Sequence, residues 1–496
     1  MKKRVICRIL CLILLLCLCP VGLAEGTELP VNWYEVFVRS FRDSDGDGLG
    51  DLRGVTEKLD YIRDLGCEGI WLMPIMPSPS YHKYDVTDYY AVDPEYGTLD
   101  DLRELLGAAH ARGMRVILDL PLNHCSSLHP WFLSAAASAD SPYRDWFNWS
   151  ETPGQGYTAL GGAYYESRFV DSMPDLNLDN PAVRAEIESI LRFWLEEVGA
   201  DGFRLDAVTS FYTGNADKNV EMLNWLADTA HGICPDCYLV GEAWESLAAI
   251  ARYSESRIDS FFTFPVSQAE GYIARVLGGR AKQPGAKLGE TVTLLEQTLP
   301  EATIPAPFLE NHDTGRTVGF TGRDNPGKTK MAFGLLCLLR GNVFVYYGQE
   351  IGMVGSGEDP NKRLGMLWAD GEEPCLPPPG TTKIEYAYPA VAEQEEDPSS
   401  ILCYYKEALA LRERFPAIAR GASEVLPCER DEVCLIRKQY GGDSLLLAVN
   451  PSRSEQEIVP EGFTALAASL CAEAADEAVI TDGVLKLPPY SIAVLE

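Results

Sequence analysis

Residues 202–208 read Gly-Phe-Arg-Leu-Asp-Ala-Val, and their alternation is that of a short β-strand. Phe203 and Leu205 point to one face of such a strand, whereas Arg204 and Asp206 point to the other. A guanidinium two residues before a carboxylate favours the ionised carboxylate. A structural ion pair would give the same pattern, but an anion held at the end of a buried strand is also what a nucleophilic carboxylate needs.

Other strand-like segments end in acidic residues too, as in 116–119, 238–242 and 308–313. From Trp33 to about Phe415, strand candidates alternate with segments of helical period. The candidates are 34–41, 67–75, 115–122, 202–208, 238–244, 258–265, 304–311 and 341–348. This order predicts an α/β fold, a (β/α)8 TIM barrel, with a doubly wound open sheet as the alternative. A barrel carries its chemistry at the C-terminal ends of its strands, which is where these acids fall.

Two regions depart from the alternation. Residues 125–181 hold three tryptophans and little helical period, so they predict an inserted domain after the third strand. From residue 416 the pattern changes to short alternating strands. The predicted organisation is a signal peptide over 1–24, a barrel over 30–124 and 182–415, an inserted domain over 125–181, and a C-terminal all-β domain over 416–496.

The first 24 residues have the pattern of a secretory signal. Three basic residues at 2–4 precede an apolar run, and small residues lead to a cleavage point after Ala24. A membrane anchor is the alternative, but the apolar run is short for a span. Lipid attachment at Cys17 or Cys19 is less favoured, because bulky leucines precede both cysteines. The sequence therefore predicts secretion without stable membrane insertion.

Composition narrows the class of partner. The 496 residues carry a formal charge of −31 and are 46% hydrophobic, which is ordinary for a large globular protein. An acidic surface repels nucleic acids and anionic membranes, so a neutral substrate is predicted, and we expect a monomer. Ten of the 14 cysteines follow the signal segment, too few for a disulfide scaffold. Cys234-Pro-Asp-Cys237 predicts a local disulfide or two free thiols.

A glycine-rich loop carries oxygen ligands at alternate positions. The residues are Asp43, Asp45, Asp47, Leu49 (through its carbonyl) and Asp51. Such a set suits a hard cation, and we predict Ca²⁺. An EF-hand is excluded because Gly54 occupies the place of the bidentate glutamate. A solvated acidic turn is the alternative, but four aspartates this close repel one another without a cation.

Five short motifs, in this order and spacing, resemble the α-amylase superfamily, glycoside hydrolase family 13. They are 119–124 (Asp-Leu-Pro-Leu-Asn-His), 173–177 (Met-Pro-Asp-Leu-Asn), 202–206, 241–244 (Gly-Glu-Ala-Trp) and 308–313 (Phe-Leu-Glu-Asn-His-Asp). The resemblance implies a (β/α)8 barrel, an inserted domain after strand three and a C-terminal β-sandwich. It also implies a retaining hydrolase of α-glucans.

The resemblance implies a role for each matching residue. Asp206 would be the nucleophile, Glu242 the general acid and base, and Asp313 the third carboxylate, which grips sugar hydroxyls. Substrate contacts are implied for Tyr84, Asp85, His124, Arg204 and His312. Asp119 would support Arg204 rather than react.

The sequence also departs from many amylases. Thr209 and Ser210 replace a Lys-His pair that contacts the leaving-side sugar and helps to hold an interdomain calcium, so both features stay open. The Asp43–Asp51 loop resembles the oligo-1,6-glucosidase branch, and the 173–177 motif lies between that branch and neopullulanases. We expect a secreted, calcium-binding hydrolase of α-1,4-linked glucans. The alternatives are an exo-acting α-glucosidase or oligo-1,6-glucosidase, a transglycosylase, and a non-catalytic carbohydrate-binding homologue.

Overall fold

The computed structural model describes residues 31–278 and 283–496, so the predicted signal peptide lies outside the described residues. Its centre is an eight-stranded parallel sheet. In chain order the barrel strands are Asn32–Val36, Gly69–Leu72, Arg115–Leu120, Gly202–Leu205, Tyr238–Gly241, Ser260–Phe262, Ile304–Ala306 and Val343–Tyr346. Strands one to seven pair in sequence order, and strand eight pairs with strand one. A bridge between Phe308 and Phe344 brings the sheet nearly to closure as a barrel.

Each of the eight predicted strands overlaps an observed one, and all the observed strands are shorter than predicted. The prediction over 34–41 was wrong in its second half, because Val38–Phe41 forms a helical turn. All four of those residues are buried. The four residues Val-Arg-Ser-Phe are too few to show a helical period, so periodicity could not find the boundary.

The barrel interior is filled largely by aromatic side chains. Trp33 stacks on Tyr238 with ring centroids 4.8 Å apart and on Phe344 at 5.7 Å. Trp71, Phe262 and other buried residues complete this cluster. Such a packed interior leaves the ends of the strands as the place for chemistry.

Glycine is required where the motif at 202–208 begins. Gly202 has a φ of +144°, and a Cβ atom there would lie 1.9 Å from the carbonyl oxygen of Tyr238 on the neighbouring strand. A side chain would therefore separate barrel strands four and five, whose ends carry Asp206 and Glu242.

Helices surround the sheet. The α-helices are Val38–Phe41, Leu52–Glu57, Leu59–Leu65, Leu99–His110, Pro130–Ala137, Pro181–Arg192, Ala216–Ile233, Leu247–Tyr253, Tyr272–Val276, Pro284–Thr298, Val318–Thr321, Pro326–Cys337, Val391–Glu395, Ile401–Arg414 and Pro416–Arg420. Pro181 starts its helix, and the Asn180 side chain caps that helix by accepting the Ala182 N–H. A π-helical segment, Phe193–Val198, continues this helix.

Two smaller sheets and one larger one lie outside the barrel. Between barrel strands three and four, Ala163–Glu166 pairs with Trp149–Ser150 on one side and Tyr157–Leu160 on the other. The C-terminal region is antiparallel and has its own apolar core. Its five-stranded sheet has the order Ala422–Leu426, Cys434–Tyr440, Asp443–Asn450, Ser491–Leu495 and Leu466–Cys471, and its three-stranded sheet the order Gln456–Ile458, Val484–Leu487 and Val479–Thr481. Within the described ranges, no helix has the length and apolarity that a membrane span requires.

Candidate active site

Arg204 lies at the centre of a cluster of acidic groups at the C-terminal end of the barrel. Its Nη1 is 2.6 Å from Asp206 Oδ1 and 2.9 Å from Asp119 Oδ1, while its Nη2 is 3.1 Å from Glu242 Oε1. Only 1% of Arg204 is exposed. The guanidinium is planar and always charged, so it fixes the carboxylates of three neighbouring strands relative to one another.

Glu242 follows barrel strand five and is held at both oxygens. Its Oε2 accepts the backbone N–H of Ala207 at 2.8 Å, and its Oε1 faces Arg204. Burial raises the pKa of Glu242 to about 7, and the Asp206 and Asp313 charges add to this while Arg204 opposes it. Glu242 can therefore hold a proton near neutral pH, as a general acid must.

A second chain of contacts joins Asp313 to the first. His312 Nε2 lies 3.0 Å from Asp313 Oδ2 and 2.8 Å from the hydroxyl of Tyr84. That hydroxyl donates to Asp119 Oδ2 at 2.9 Å. Although burial lowers it, Asp313 and Glu35 raise the pKa of His312 to about 9. Burial acts to raise the pKa of Asp313, but His312 and Arg363 hold it far below its ordinary value.

Sequence reasoning missed two residues of this site. Arg363, in the loop after barrel strand eight, places Nη2 3.1 Å from Asp313 Oδ1 and 2.6 Å from Asp359 Oδ2. It lies in an irregular segment, so no periodicity singled it out. Glu35 contacts His312 from barrel strand one. The sequence could have predicted this residue, because Glu35 is an acid near the C-terminal end of a barrel strand.

The remaining predicted substrate residues lie around the same end of the barrel. His124 is buried, and its Nε2 has no hydrogen-bond partner among the described residues. The ring of Phe169, from the inserted region, packs edge-on against it with centroids 5.3 Å apart. Asp85 is also buried, but its Oδ1 accepts the hydroxyls of Ser78 (2.6 Å) and Ser80. Asp85 therefore shapes the loop that carries Tyr84.

The acidic loop brings three of its predicted ligands together. One carboxylate oxygen each from Asp43, Asp45 and Asp51 lie within 4.8 Å of one another. Asp47 uses Oδ1 to accept the Leu49 N–H at 2.7 Å. Gly46 and Gly48 have φ angles of +87° and +93°, which let the loop wrap. The converging atoms are hard oxygens, so this donor set fits Ca²⁺.

The interface with the inserted region holds a buried acid. Asn123 Nδ2 donates to Asp175 Oδ1 at 3.1 Å, and burial raises the pKa of Asp175 to about 8. Such a carboxyl holds a proton at neutral pH. Cys234 and Cys237 are free thiols in the structure.

Comparison with known proteins identifies the family. The model of the alpha amylase catalytic domain matches residues 35–421, which is well over half of the chain. The chain belongs to the alpha-amylase family. It is a glycoside hydrolase of that family, and an α-glucan is the substrate class that fits.

Relatives of this amylase-family chain carry several names. Alpha-amylase 3 of Dictyoglomus thermophilum is 38% identical over 440 residues, which cover 85% of each chain. Oligo-1,6-glucosidase of Heyndrickxia coagulans is 28% identical over 509 residues, covering 85% of this chain and 91% of that one. Among solved structures, Eubacterium rectale Amy13B superposes with a TM-score of 0.90 at 44% identity, covering 94% of each chain. The α-amylase and oligo-1,6-glucosidase likenesses expected from the motifs are confirmed.

Proposed function

We propose that this chain is a secreted hydrolase that cleaves α-1,4-glucosidic bonds of starch and maltooligosaccharides with retention of configuration. The observation that carries the proposal is the sharing of one buried guanidinium by Asp206 and Glu242. Retaining glycosidases place their two carboxyl groups about 5–5.5 Å apart, a spacing compatible with two carboxylates on one guanidinium. The relative named Alpha-amylase 3 supports the choice of α-1,4 bonds.

In the first step Asp206 attacks the anomeric carbon while Glu242 gives its proton to the leaving oxygen. The glycosidic bond breaks and a covalent glycosyl ester forms on Asp206. Arg204 keeps Asp206 aligned for this attack. The raised pKa of Glu242 supports its role, because the acid must still be protonated when the substrate binds.

In the second step Glu242 takes a proton from water, and the water oxygen replaces Asp206 on the anomeric carbon. The Asp206 charge is one cause of the raised pKa of Glu242. Esterification removes that charge, so the pKa of Glu242 falls at the stage when it must act as a base. Two inversions at one carbon give net retention.

Other groups hold the sugar. We assign Asp313 to sugar hydroxyls, since its contacts with His312 and Arg363 keep it ionised and fixed. His124 offers a buried Nε2 for a further hydrogen bond. Tyr84 stacks on His312 with ring centroids 5.6 Å apart and forms an aromatic wall.

The substrate and the mode of action are tested with maltoheptaose blocked at its non-reducing end, beside the unblocked sugar. We expect the purified mature protein to cleave both, because an α-amylase cuts within a chain. Asp206→Asn removes the nucleophilic charge and should lower kcat by at least about 10⁴-fold. Products are measured by chromatography.

Two other results would change the assignment. Cleavage of the unblocked sugar alone would identify an exo-acting α-glucosidase on the same machinery. Absence of cleavage of either sugar would contradict hydrolysis of α-1,4 glucans. Equal turnover by wild type and Asp206→Asn would remove Asp206 from the mechanism.

The pH dependence follows from Glu242. Below about pH 7 this residue keeps its proton, and it loses the proton as the pH rises through its pKa. We therefore expect kcat/KM to fall by about tenfold per pH unit above that point. With α-glucosyl fluoride, whose leaving group needs no acid, Glu242→Gln should still break the glycosyl bond. The second step, in which Glu242 acts as a base, should remain impaired. A wild-type profile that stays level from pH 7 to about pH 9 would contradict the assignment.

We further propose that Asp43, Asp45 and Asp51 hold a structural Ca²⁺ together with Asp47 and the Leu49 carbonyl. The support is the convergence of three carboxylates in a loop whose backbone is already closed. Asp51 also caps the helix Leu52–Glu57 by accepting the Gly54 N–H. A cation there would relieve the repulsion between carboxylates and fix the start of that helix.

Calcium binding is tested by thermal unfolding of the EDTA-treated protein with added Ca²⁺ or Mg²⁺. We expect Ca²⁺ to raise the Tm and Mg²⁺ to do so much less. Asp45→Ala should abolish the rise because it removes one of the three converging carboxylates. The variant should still fold, since Asp45 makes few contacts within the loop. Asp64→Asn, an exposed acid outside the loop, is the control. An equal rise in wild type and Asp45→Ala would contradict the site.

Secretion completes the proposal. It is supported by the charged, apolar and small-residue order of residues 1–24 and by the acidic composition. A soluble extracellular hydrolase suits a substrate that is too large to enter a cell.

A further inference from the structure

We propose that Glu35 is a positioning residue: its carboxylate holds His312 as an imidazolium, and the imidazolium keeps Asp313 ionised and oriented toward the substrate. Glu35 does not touch the reacting atoms and acts through His312. The inference rests on the proposed function, because it explains how one carboxylate of that site is prepared.

The contact between Glu35 and His312 is short and buried. Glu35 Oε1 lies 2.6 Å from His312 Nδ1 and 3.4 Å from the His312 backbone nitrogen. Only 1% of Glu35 and none of His312 is exposed. Burial raises the pKa of Glu35, while the contact with His312 lowers it. An ionised carboxylate at this depth needs a charged partner, and His312 is the group placed to supply it.

The two ring nitrogens of His312 face carboxylates on opposite sides. Nδ1 meets Glu35, and Nε2 meets Asp313 Oδ2 at 3.0 Å. A neutral imidazole donates from one nitrogen only, whereas an imidazolium donates from both. Two carboxylate acceptors therefore select the charged ring. The Tyr84 hydroxyl is consistent with this, because it donates onward to Asp119 and can accept from Nε2–H.

The other groups around His312 do not replace Glu35. They come from four parts of the barrel and comprise the edge of the Trp71 ring, the Tyr84 hydroxyl, Asp119, Arg204, and Arg363, whose Nε donates to the His312 carbonyl. Two of these are cations, and their charges disfavour a protonated ring. Glu35 and Asp313 are the carboxylates in direct contact with the imidazole. Loss of the Glu35 charge would thus move His312 toward the neutral form.

Charge balance gives the same result. With Glu242 protonated, five carboxylates of the connected network face three cations. The carboxylates are Glu35, Asp119, Asp206, Asp313 and Asp359, and the cations are Arg204, Lys362 and Arg363. An imidazolium at His312 leaves one uncompensated negative charge. We assign that charge to the nucleophile, which must be free to attack.

The test is Glu35→Gln, which keeps the shape and the hydrogen-bond acceptor but removes the charge. The protein has six histidines, so ¹³Cε1-histidine NMR resolves their titrations, with His312→Asn used for assignment. We expect His312 to stay protonated through pH 8 in the wild type and to become neutral at pH 7 in the variant. Glu350→Gln is the matched control, since Glu350 is a buried carboxylate that instead accepts from Tyr34 and Tyr61.

Kinetics provide the second measurement. We expect Glu35→Gln to lower kcat/KM by about 100-fold at pH 7, with partial recovery near pH 5, where His312 regains its proton. Glu350→Gln should leave both the His312 titration and the shape of the pH profile unchanged. A purely structural role for Glu35 would lower activity equally at all pH values.

Several results would overturn the proposal. They are a neutral His312 at pH 7 in the wild type, a His312 pKa that changes by less than about half a unit in Glu35→Gln, and a normal kcat/KM despite a shifted titration. The first can be measured even if the variant does not fold. If the wild type cleaves no α-glucan, the proposed function fails, but the titrations still decide whether Glu35 charges His312.

Discussion

The contacts of one buried cation organise the catalytic end of this molecule. Arg204 reaches Asp119 on barrel strand three, Asp206 after its own strand and Glu242 after strand five. Removing a charge of this kind would leave three carboxylates buried at short range, which is far more costly than the loss of one hydrogen bond. The spacing within Gly202–Asp206 therefore matters as much as the residue types, and Gly202 allows the two strands to approach.

The same guanidinium separates the roles of two similar carboxyl groups. Glu242 is buried, accepts one backbone N–H and has a pKa of about 7. Asp206 shares Nη1 of Arg204 with Asp119 and takes the shortest of the three contacts. A second cation, His312, prepares Asp313 from the other side of the pocket. In the proposed mechanism, the acid, the nucleophile and the carboxylate that holds the sugar thus differ because of their neighbours rather than their chemistry.

Much of this could be predicted from the sequence, because barrel strands are short apolar runs that end in the residues used for chemistry. All eight strands and the cluster of Arg204, Asp206, Glu242 and Asp313 follow from that rule and from the motifs. The local sequence pattern did not predict features that depend on contacts between distant parts of the chain. Residues 38–41 are too few to show a helical or a strand period. Arg363 reaches the site only because its loop folds back onto Asp313. Asp85 accepts hydrogen bonds from two serines of its own loop, and its contact with substrate stays a prediction.

The central claim is that Asp206 is the nucleophile, and trapping the intermediate tests it most directly. 5-Fluoro-α-D-glucosyl fluoride has a leaving group that departs readily, while its ring fluorine slows hydrolysis of the glycosyl ester. After incubation and proteolysis, mass spectrometry should find one fluoroglucosyl group on the peptide that contains Asp206. A label on another peptide would contradict the account. So would rapid turnover of the fluoride with no labelled peptide, under conditions where unlabelled substrate competes with it for the site.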